Sequence, residues 1–226
     1  MSEHVAIVVG AGGELGRATA EKLAAAGFTV AGIDRSEDGL KELPDGIRRE
    51  VADPVDPVSA RSVIDRIAAE VGPPEVLVNT IGMYHLGDAL SATQEDLRLM
   101  IDVNVGPALW LTQAMVPYLR ERGSGSIVHV AARQGLEPTA GMATYTVSKA
   151  ALVHLTRVLD LELRPLGIRV NAVAPQLLDT PRNRQYFTPD LLAHAVAPGA
   201  AADIIVYLVS DAAAPVSGAV VPAYGA

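Results

Sequence analysis

The sequence predicts an α/β fold: one doubly wound parallel sheet with helices on both faces. Three observations predict it. Short runs rich in valine and isoleucine alternate with longer stretches of helical pattern. A glycine-rich turn, residues 10–16, joins the first such run to the first helix. The interior must also be aliphatic, because 50% of the 226 residues are hydrophobic and only 4% are aromatic. That is the composition of a parallel sheet buried on both faces.

The elements follow in order. Residues 5–9 form a β-branched run that reads as a buried strand. The glycine turn leads into a helix over 17–26, closed by Gly27. Residues 28–33 give a second strand ending at Asp34. A helix over 54–71 stops at Gly72-Pro73-Pro74, and 76–79 is the next buried strand. Residues 96–122 have helical pattern, interrupted at Gly106-Pro107, where proline begins a new helix or kinks one. Strands over 126–131 and 168–174 flank a long helix over 145–164. A short helix over 201–209 and a last strand over 219–222 complete the chain. Strand–helix alternation of this kind implies right-handed parallel crossovers. No repeat, low-complexity tract or linker divides the sequence, so residues 1–226 are expected to form one domain. The least regular segment, 176–200, is rich in Pro, Thr, Arg and Asn. It is expected to be a short substrate lid.

Composition narrows the function. The chain has no cysteine, which removes disulfides and thiolate metal sites and fits a cytoplasmic location. The net charge is −8 without a basic cluster, which argues against nucleic acid as a partner. No run is long and apolar enough to suggest a membrane span, and no signal peptide precedes the first strand. No metal site is expected.

The turn Gly10-Ala-Gly-Gly13-Glu14-Leu15-Gly16 is built for a pyrophosphate. Glycine permits the tight turn and close backbone approach. The helix start supplies free N–H groups and partial positive charge. Together with the alternating elements, this is a Rossmann-like arrangement. Glu14 is unusual beside a phosphate site, and its side chain is expected to face solvent. Asp34 closes the second strand, where a carboxylate accepts hydrogen bonds from adenosine ribose hydroxyls and repels a 2′-phosphate. NAD is therefore expected over NADP, with NADP possible because Arg35 follows directly.

Tyr145-Thr-Val-Ser-Lys149 opens the long helix and places a phenol and an ammonium on one face, one turn apart. A free tyrosine titrates near ~10, too high for a proton carrier at neutral pH. A neighbouring cation is expected to lower that value and make the pair a general acid–base.

With these elements in one order, the chain resembles the short-chain dehydrogenase/reductase family over nearly its whole length. The residues that carry the resemblance are Gly10, Gly13, Gly16, Asp34, Asp53, Asn79-Thr-Ile-Gly82, Asn104, Tyr145, Lys149 and Pro175-Gln-Leu-Leu-Asp-Thr180. The resemblance implies an NAD(P)(H)-dependent oxidoreductase acting on a small carbonyl/alcohol substrate. It implies that Asp53 bonds the adenine amino group and that Asn79 and Gly82 line the adenosine side. Pro175 would lie against the cofactor, and Thr180 would bond the nicotinamide carboxamide. Asn104 would hold a relay water, Tyr145 would be the acid/base, and Lys149 would bind the nicotinamide ribose. Asp53 and Thr180 can also be read as helix caps.

The chain departs from the family in three places. Glu14 replaces the middle glycine of the loop. Asn79-Thr-Ile-Gly82 stands for Asn-Asn-Ala-Gly. Ala132 stands where the family has a serine whose hydroxyl polarises the substrate oxygen. Gln134, Thr139 and Thr144 are the candidate replacements, and Arg133 is a candidate contact for a polar or anionic substrate. The stretch from Ala132 to Tyr145, with Leu178 to Arg184, is also similar to dihydropteridine reductases, which lack the serine and reduce a conjugated imine. A third reading is a nucleotide-binding scaffold without turnover. His85 is expected to be a solvated loop residue. Arg182 and Arg184 are candidate contacts for a substrate carboxylate. A homo-oligomer, dimer or tetramer, is expected through the helices around 104–119 and 145–163.

Overall fold

The structure is a computed structural model and describes residues 4–225. Seven parallel strands form one sheet in the order β3-β2-β1-β4-β5-β6-β7. The strands are β1 (Val5–Val9), β2 (Thr29–Asp34), β3 (Arg48–Val51), β4 (Pro74–Asn79), β5 (Gly125–Val130), β6 (Ile168–Pro175) and β7 (Val220–Ala223). The helices are α1 (Glu14–Ala25), α2 (Glu37–Lys41), α3 (Pro57–Glu70), α4 (Gln94–Asn104), α5 (Gly106–Arg122), α6 (Ala143–Leu163), α7 (Pro181–Tyr186), α8 (Pro189–Leu192) and α9 (Pro198–Val209). The parallel, doubly wound sheet and its Rossmann-like character are as the sequence predicts.

Successive strand residues face opposite sides, and both sides are covered. Ala6, Val8, Val76, Val78 and Val128 pack under α1 and α9 against Leu15, Leu23 and Ile205. Val5, Ile7, Val9, Leu77 and Ile127 pack on the other face against Ile64 of α3, Leu111 and Met115 of α5 and Leu159 of α6. Each central strand must therefore be apolar on both faces, which explains the unbroken valine runs.

One strand escaped the sequence reading. β3 is absent from it, because Arg48-Arg49-Glu50-Val51 carries no apolar run. It pairs with β2 at the sheet edge, and its buried Glu50 is neutralised by Arg48 at 2.7 Å and Arg66 at 2.6 Å. β7 tolerates Pro222 because it is the opposite edge strand. Helix starts also differ from expectation. α3 begins at Pro57, where Asp56 caps two N–H groups. α4 begins at Gln94 under a reciprocal cap between Thr93 and Asp96. The lid segment is not wholly irregular, since it contains α7 and α8.

By length and composition the stretch Gln94–Arg122 is long and apolar enough to cross a membrane. It is two helices that meet at Val105, and α5 buries Leu111, Met115 and Leu119 in the core. The core of the fold accounts for its apolarity.

The chain leaves β1 toward β2 and β3, then returns across the sheet to β4 and onward. The winding reverses between β1 and β4. At the carboxyl ends of those strands the reversal opens a crevice, the usual ligand position in open α/β sheets.

Candidate active site

The glycine turn lies at that crevice. Gly10 has φ +82°, and a Cβ there would lie 2.5 Å from Thr80 Oγ1. Thr80 in turn donates from Oγ1 to the Val9 carbonyl at 2.8 Å, clasping the end of β4 to the end of β1. A Cβ on Gly16 would lie 2.0 Å from the Gly10 carbonyl oxygen, so only glycine lets α1 press onto the turn. No side chain caps the α1 N-terminus. Its first N–H groups are therefore available to an anion. Glu14 turns away from that position and pairs with Arg17 at 2.8 Å. Leu15 is buried against the core.

Asp34 is half-buried and tied to the turn. Its Oδ2 accepts from Gly12 N–H at 3.0 Å and its Oδ1 from Ser36 N–H at 2.9 Å. Arg35 beside it is exposed. Asp53 is also exposed, and its Oδ1 accepts from Val55 N–H at 3.0 Å, the geometry of a turn before α3. Asn79 is buried and its Oδ1 accepts from Ile81 N–H at 3.1 Å.

Tyr145 and Lys149 line one cavity of about 420 Å³, together with Gly82, Ala132, Gln134 and Pro175. Lys149 is buried and donates from Nζ to the Val130 carbonyl at 3.0 Å. Burial pushes its ammonium down to about 8. The backbone at Gly82 passes so close that a Cβ there would lie 2.8 Å from Lys149 Nζ and 3.2 Å from Asn104 Oδ1. Asn104 uses both ends of its amide. Its Oδ1 accepts from Met83 N–H at 2.8 Å, while Nδ2 donates to the Met83 carbonyl and to Ser148 Oγ, each at 2.9 Å. Ser148 donates onward to the Tyr145 carbonyl at 2.7 Å. Met83, which the sequence reading placed after the Asn79 strand within reach of the substrate side, belongs to the frame of the site, as do Ser148 and Thr80, to which it gave no role. Only the Tyr-x-x-x-Lys spacing hinted at Ser148, which it places on the same helix turn.

One sequence expectation is corrected. The phenol of Tyr145 is not made acidic by its neighbour here. Desolvation raises it well above the usual tyrosine range, because half-burial removes water and Lys149 directs its hydrogen bond to Val130.

Arg133 does not line the cavity. Its guanidinium donates to Gln176 Oε1 at 2.7 Å, pairs with Glu137 at 2.7 Å and sits 4.8 Å from the Tyr224 ring centroid. It fastens the β5 loop to the start of segment 176–200 and to the C-terminal segment. Arg184 is held by Asp179 in a two-point ion pair, and Arg182 is exposed. His85 lies outside the cavity, with Nδ1 3.6 Å from Asp96. Thr180 accepts from Asn183 N–H at 3.1 Å and caps α7. Pro175 ends β6 at the cavity wall.

A family model for short chain dehydrogenases matches residues 4–190. The chain belongs to the short-chain dehydrogenase/reductase family. It is 32% identical to an uncharacterized oxidoreductase of Staphylococcus epidermidis, over 80% of each chain. It is 29% identical to a 4-formylbenzenesulfonate dehydrogenase of Comamonas testosteroni, covering 96% of this chain and 95% of that one. It is also 29% identical to a 3-oxoacyl-[acyl-carrier-protein] reductase of Thermotoga maritima, over 96% and 94%. In this short-chain dehydrogenase/reductase, Tyr145, Lys149 and Ala132 line one cavity.

Proposed function

We propose that this oxidoreductase acts on a small carbonyl/alcohol pair with NAD(H). The observation that carries the reading is the shared cavity of Tyr145 and Lys149 at the sheet's reversal point, next to an uncapped helix start. The family generally uses a nicotinamide dinucleotide, and the residues fit one. A Cβ at Gly10 or Gly16 would fill the cradle, and α1 has N–H groups to offer a diphosphate. Asp34 would hold the adenosine ribose and disfavour a 2′-phosphate, which supports NAD over NADP. Asp53, Asn79, Gly82, Pro175 and Thr180 would complete the contacts, with Lys149 on the nicotinamide ribose. When bound, the cofactor supplies or removes the hydride and brings a positive charge in its oxidised form.

The chain's own work is proton transfer and positioning. Tyr145 gives a proton to the substrate oxygen in reduction and takes it back in oxidation. A phenol held high by burial is a reluctant acid. The ammonium of Lys149 lowers that barrier once it is drawn from the Val130 carbonyl toward bound ribose and phenol. Asn104 and Ser148 hold the Tyr145 turn against the Met83 backbone, so the phenol keeps its place. With the side chain of Asn104 fully engaged, a relay water would have to meet its main-chain carbonyl.

The cavity walls are mostly apolar, with Met83, Leu177, Phe187 and Leu191 among them. Lys149 is the one cationic side chain among them, and Arg133 and Arg184 are spent in ion pairs. An uncharged aldehyde or ketone suits this lining better than an acid. Two relatives carry names for aldehyde or ketone chemistry, which supports a carbonyl as the reacting group. The chain would work as one unit with segment 176–200 as the lid, whose base is pinned by the Val196 N–H bond to Leu177. Exposed Val147 and Leu161 on α6 favour assembly into a dimer or tetramer. Lack of cysteine suits a reducing cytoplasm.

The test is a fluorescence titration with NADH and NADPH, followed by turnover on neutral aldehydes and ketones. Tight NADH binding with carbonyl reduction is expected. Efficient reduction of a quinonoid dihydropterin in place of every carbonyl compound would move the assignment to the imine reaction. NADH binding without any turnover would leave a scaffold.

A further inference from the structure

We infer that Gln134 supplies the hydrogen bond to substrate oxygen that Ala132 cannot. The inference rests on the hydride-transfer reading above and names the second polar contact of that same site. Ala132 presents a buried methyl to the cavity shared with Tyr145. An oxygen that gains negative charge in an apolar cavity needs a donor besides the acid itself.

The local backbone fixes where Gln134 points. It is the middle residue of the 3₁₀ turn Arg133–Gly135, directly after the β5 strand end. On one side, Arg133 is anchored to Glu137, Gln176 and Tyr224. On the other, Gly135 is pressed onto α6 so tightly that a Cβ would lie 2.7 Å from the Lys149 carbonyl oxygen. Gly135 N–H also closes back on the Ala132 carbonyl at 2.9 Å. The turn is thus locked to the helix that carries Tyr145 and Lys149, and the Gln134 side chain lines their cavity. Gln134 is half-buried, and among the described residues nothing hydrogen-bonds to its carboxamide. Both N–H groups of that amide are open to the cavity and free to donate to a bound oxygen.

Gln176 and Tyr84 also bring donors to the lining, but they follow β6 and β4, whereas Gln134 lies two residues after Ala132 at the end of β5. The Gln176 side chain is tethered through its oxygen to Arg133, and the Asn183 amide donates to the Leu178 carbonyl at 2.8 Å. Thr139 is exposed, and Thr144 is buried outside the lining. Gln134 exchanges no atom with substrate. It donates one N–H to the carbonyl oxygen while the proton comes from Tyr145. The substrate class that follows is an uncharged aldehyde or ketone with a flat or apolar body.

The test uses 4-(dimethylamino)cinnamaldehyde, an uncharged conjugated aldehyde whose visible band shifts to the red when its oxygen accepts a hydrogen bond. Spectra are taken with the NAD⁺-loaded protein and rates with NADH. The wild type is expected to show the red shift and to reduce the aldehyde. In Gln134→Leu the shift should vanish and kcat should fall ~10²–10³-fold, the usual loss of one such donor, with KM changed less. Adding Ala132→Ser to that variant should restore much of both. Gln134→Glu keeps the size but is acceptor-only when ionised, and should behave like the leucine variant, which covers the case where leucine disturbs folding. An unchanged shift and rate in both variants overturns the assignment of Gln134. If Tyr145→Phe stops reduction while the Gln134 variants do not, hydride transfer stands and this inference falls. If the wild type neither binds nor reduces the aldehyde, the substrate class falls with it.

Discussion

Lys149 donates its Nζ hydrogen bond to the carbonyl of Val130 at 3.0 Å, anchoring the ammonium on the sheet and not on the Tyr145 ring. Desolvation drives their proton affinities apart, the Lys149 ammonium down to about 8 and the Tyr145 phenol upward. This arrangement makes the backbone around Lys149 as important as its neighbours in sequence.

Gly82→Ala tests that point. The added methyl would lie 2.8 Å from Lys149 Nζ, the far end of a flexible side chain that can move aside. Turnover should drop about tenfold or more while thermal unfolding shifts little, because misplacement near 1 Å is enough to slow a positioned reaction. A calorimetric scan beside a rate measurement checks it. A large loss of melting temperature would show that Gly82 is needed for the fold instead.

Gly16→Ala should do the reverse. Its methyl would meet the Gly10 carbonyl at 2.0 Å, and backbone on both sides resists movement. A loss of about 1–3 kcal/mol in a denaturant titration is expected, as for overpacking, together with weakened NADH binding. Unaltered stability and affinity would mean that the turn is looser than described.

The proposed preference for NAD rests on the charge of Asp34. In Asp34→Asn the ratio of NADPH to NADH affinity should rise about tenfold or more, which is ~1.4 kcal/mol, measured by competitive titration. Asn keeps one acceptor oxygen, so one of the bonds from Gly12 N–H and Ser36 N–H is lost, and a thermal melt beside the titration checks that the turn persists. A ratio that does not move would assign cofactor choice elsewhere.

His129 lies on β5 just before Val130, buried, with neither ring nitrogen bonded among the described residues. Burial first, then the Lys149 charge, lowers its pKa to about 4. Because the folded value lies below the unfolded 6.5, the unfolded chain takes up the proton first. This contribution to stability is full above pH ~6.5 and is lost progressively as pH falls toward about 4, amounting to roughly 3 kcal/mol. His129→Leu should flatten the stability–pH curve over that window in urea titrations. An equal slope in the variant would place the acid sensitivity in other groups.

The sheet, the glycine turn and the Tyr145/Lys149 pair were legible because their signals are local. Valine runs, glycine before a helix and a one-turn spacing each need only a few consecutive residues. β3 was hidden because its buried residue is Glu50, neutralised by arginines that pattern alone does not pair with it. The position of Arg133 was equally hidden, since Gln176 and Tyr224 reach it only through the fold. The tyrosine's raised proton affinity is a property of burial, which a sequence motif does not carry.

The most direct measurement compares wild type with Tyr145→Phe for NADH affinity and for single-turnover reduction of a neutral aldehyde. The account predicts affinity within about twofold and a rate lowered by ~10²–10⁴, the span attributed to a positioned acid. A phenylalanine variant that keeps most of the wild-type rate would contradict it.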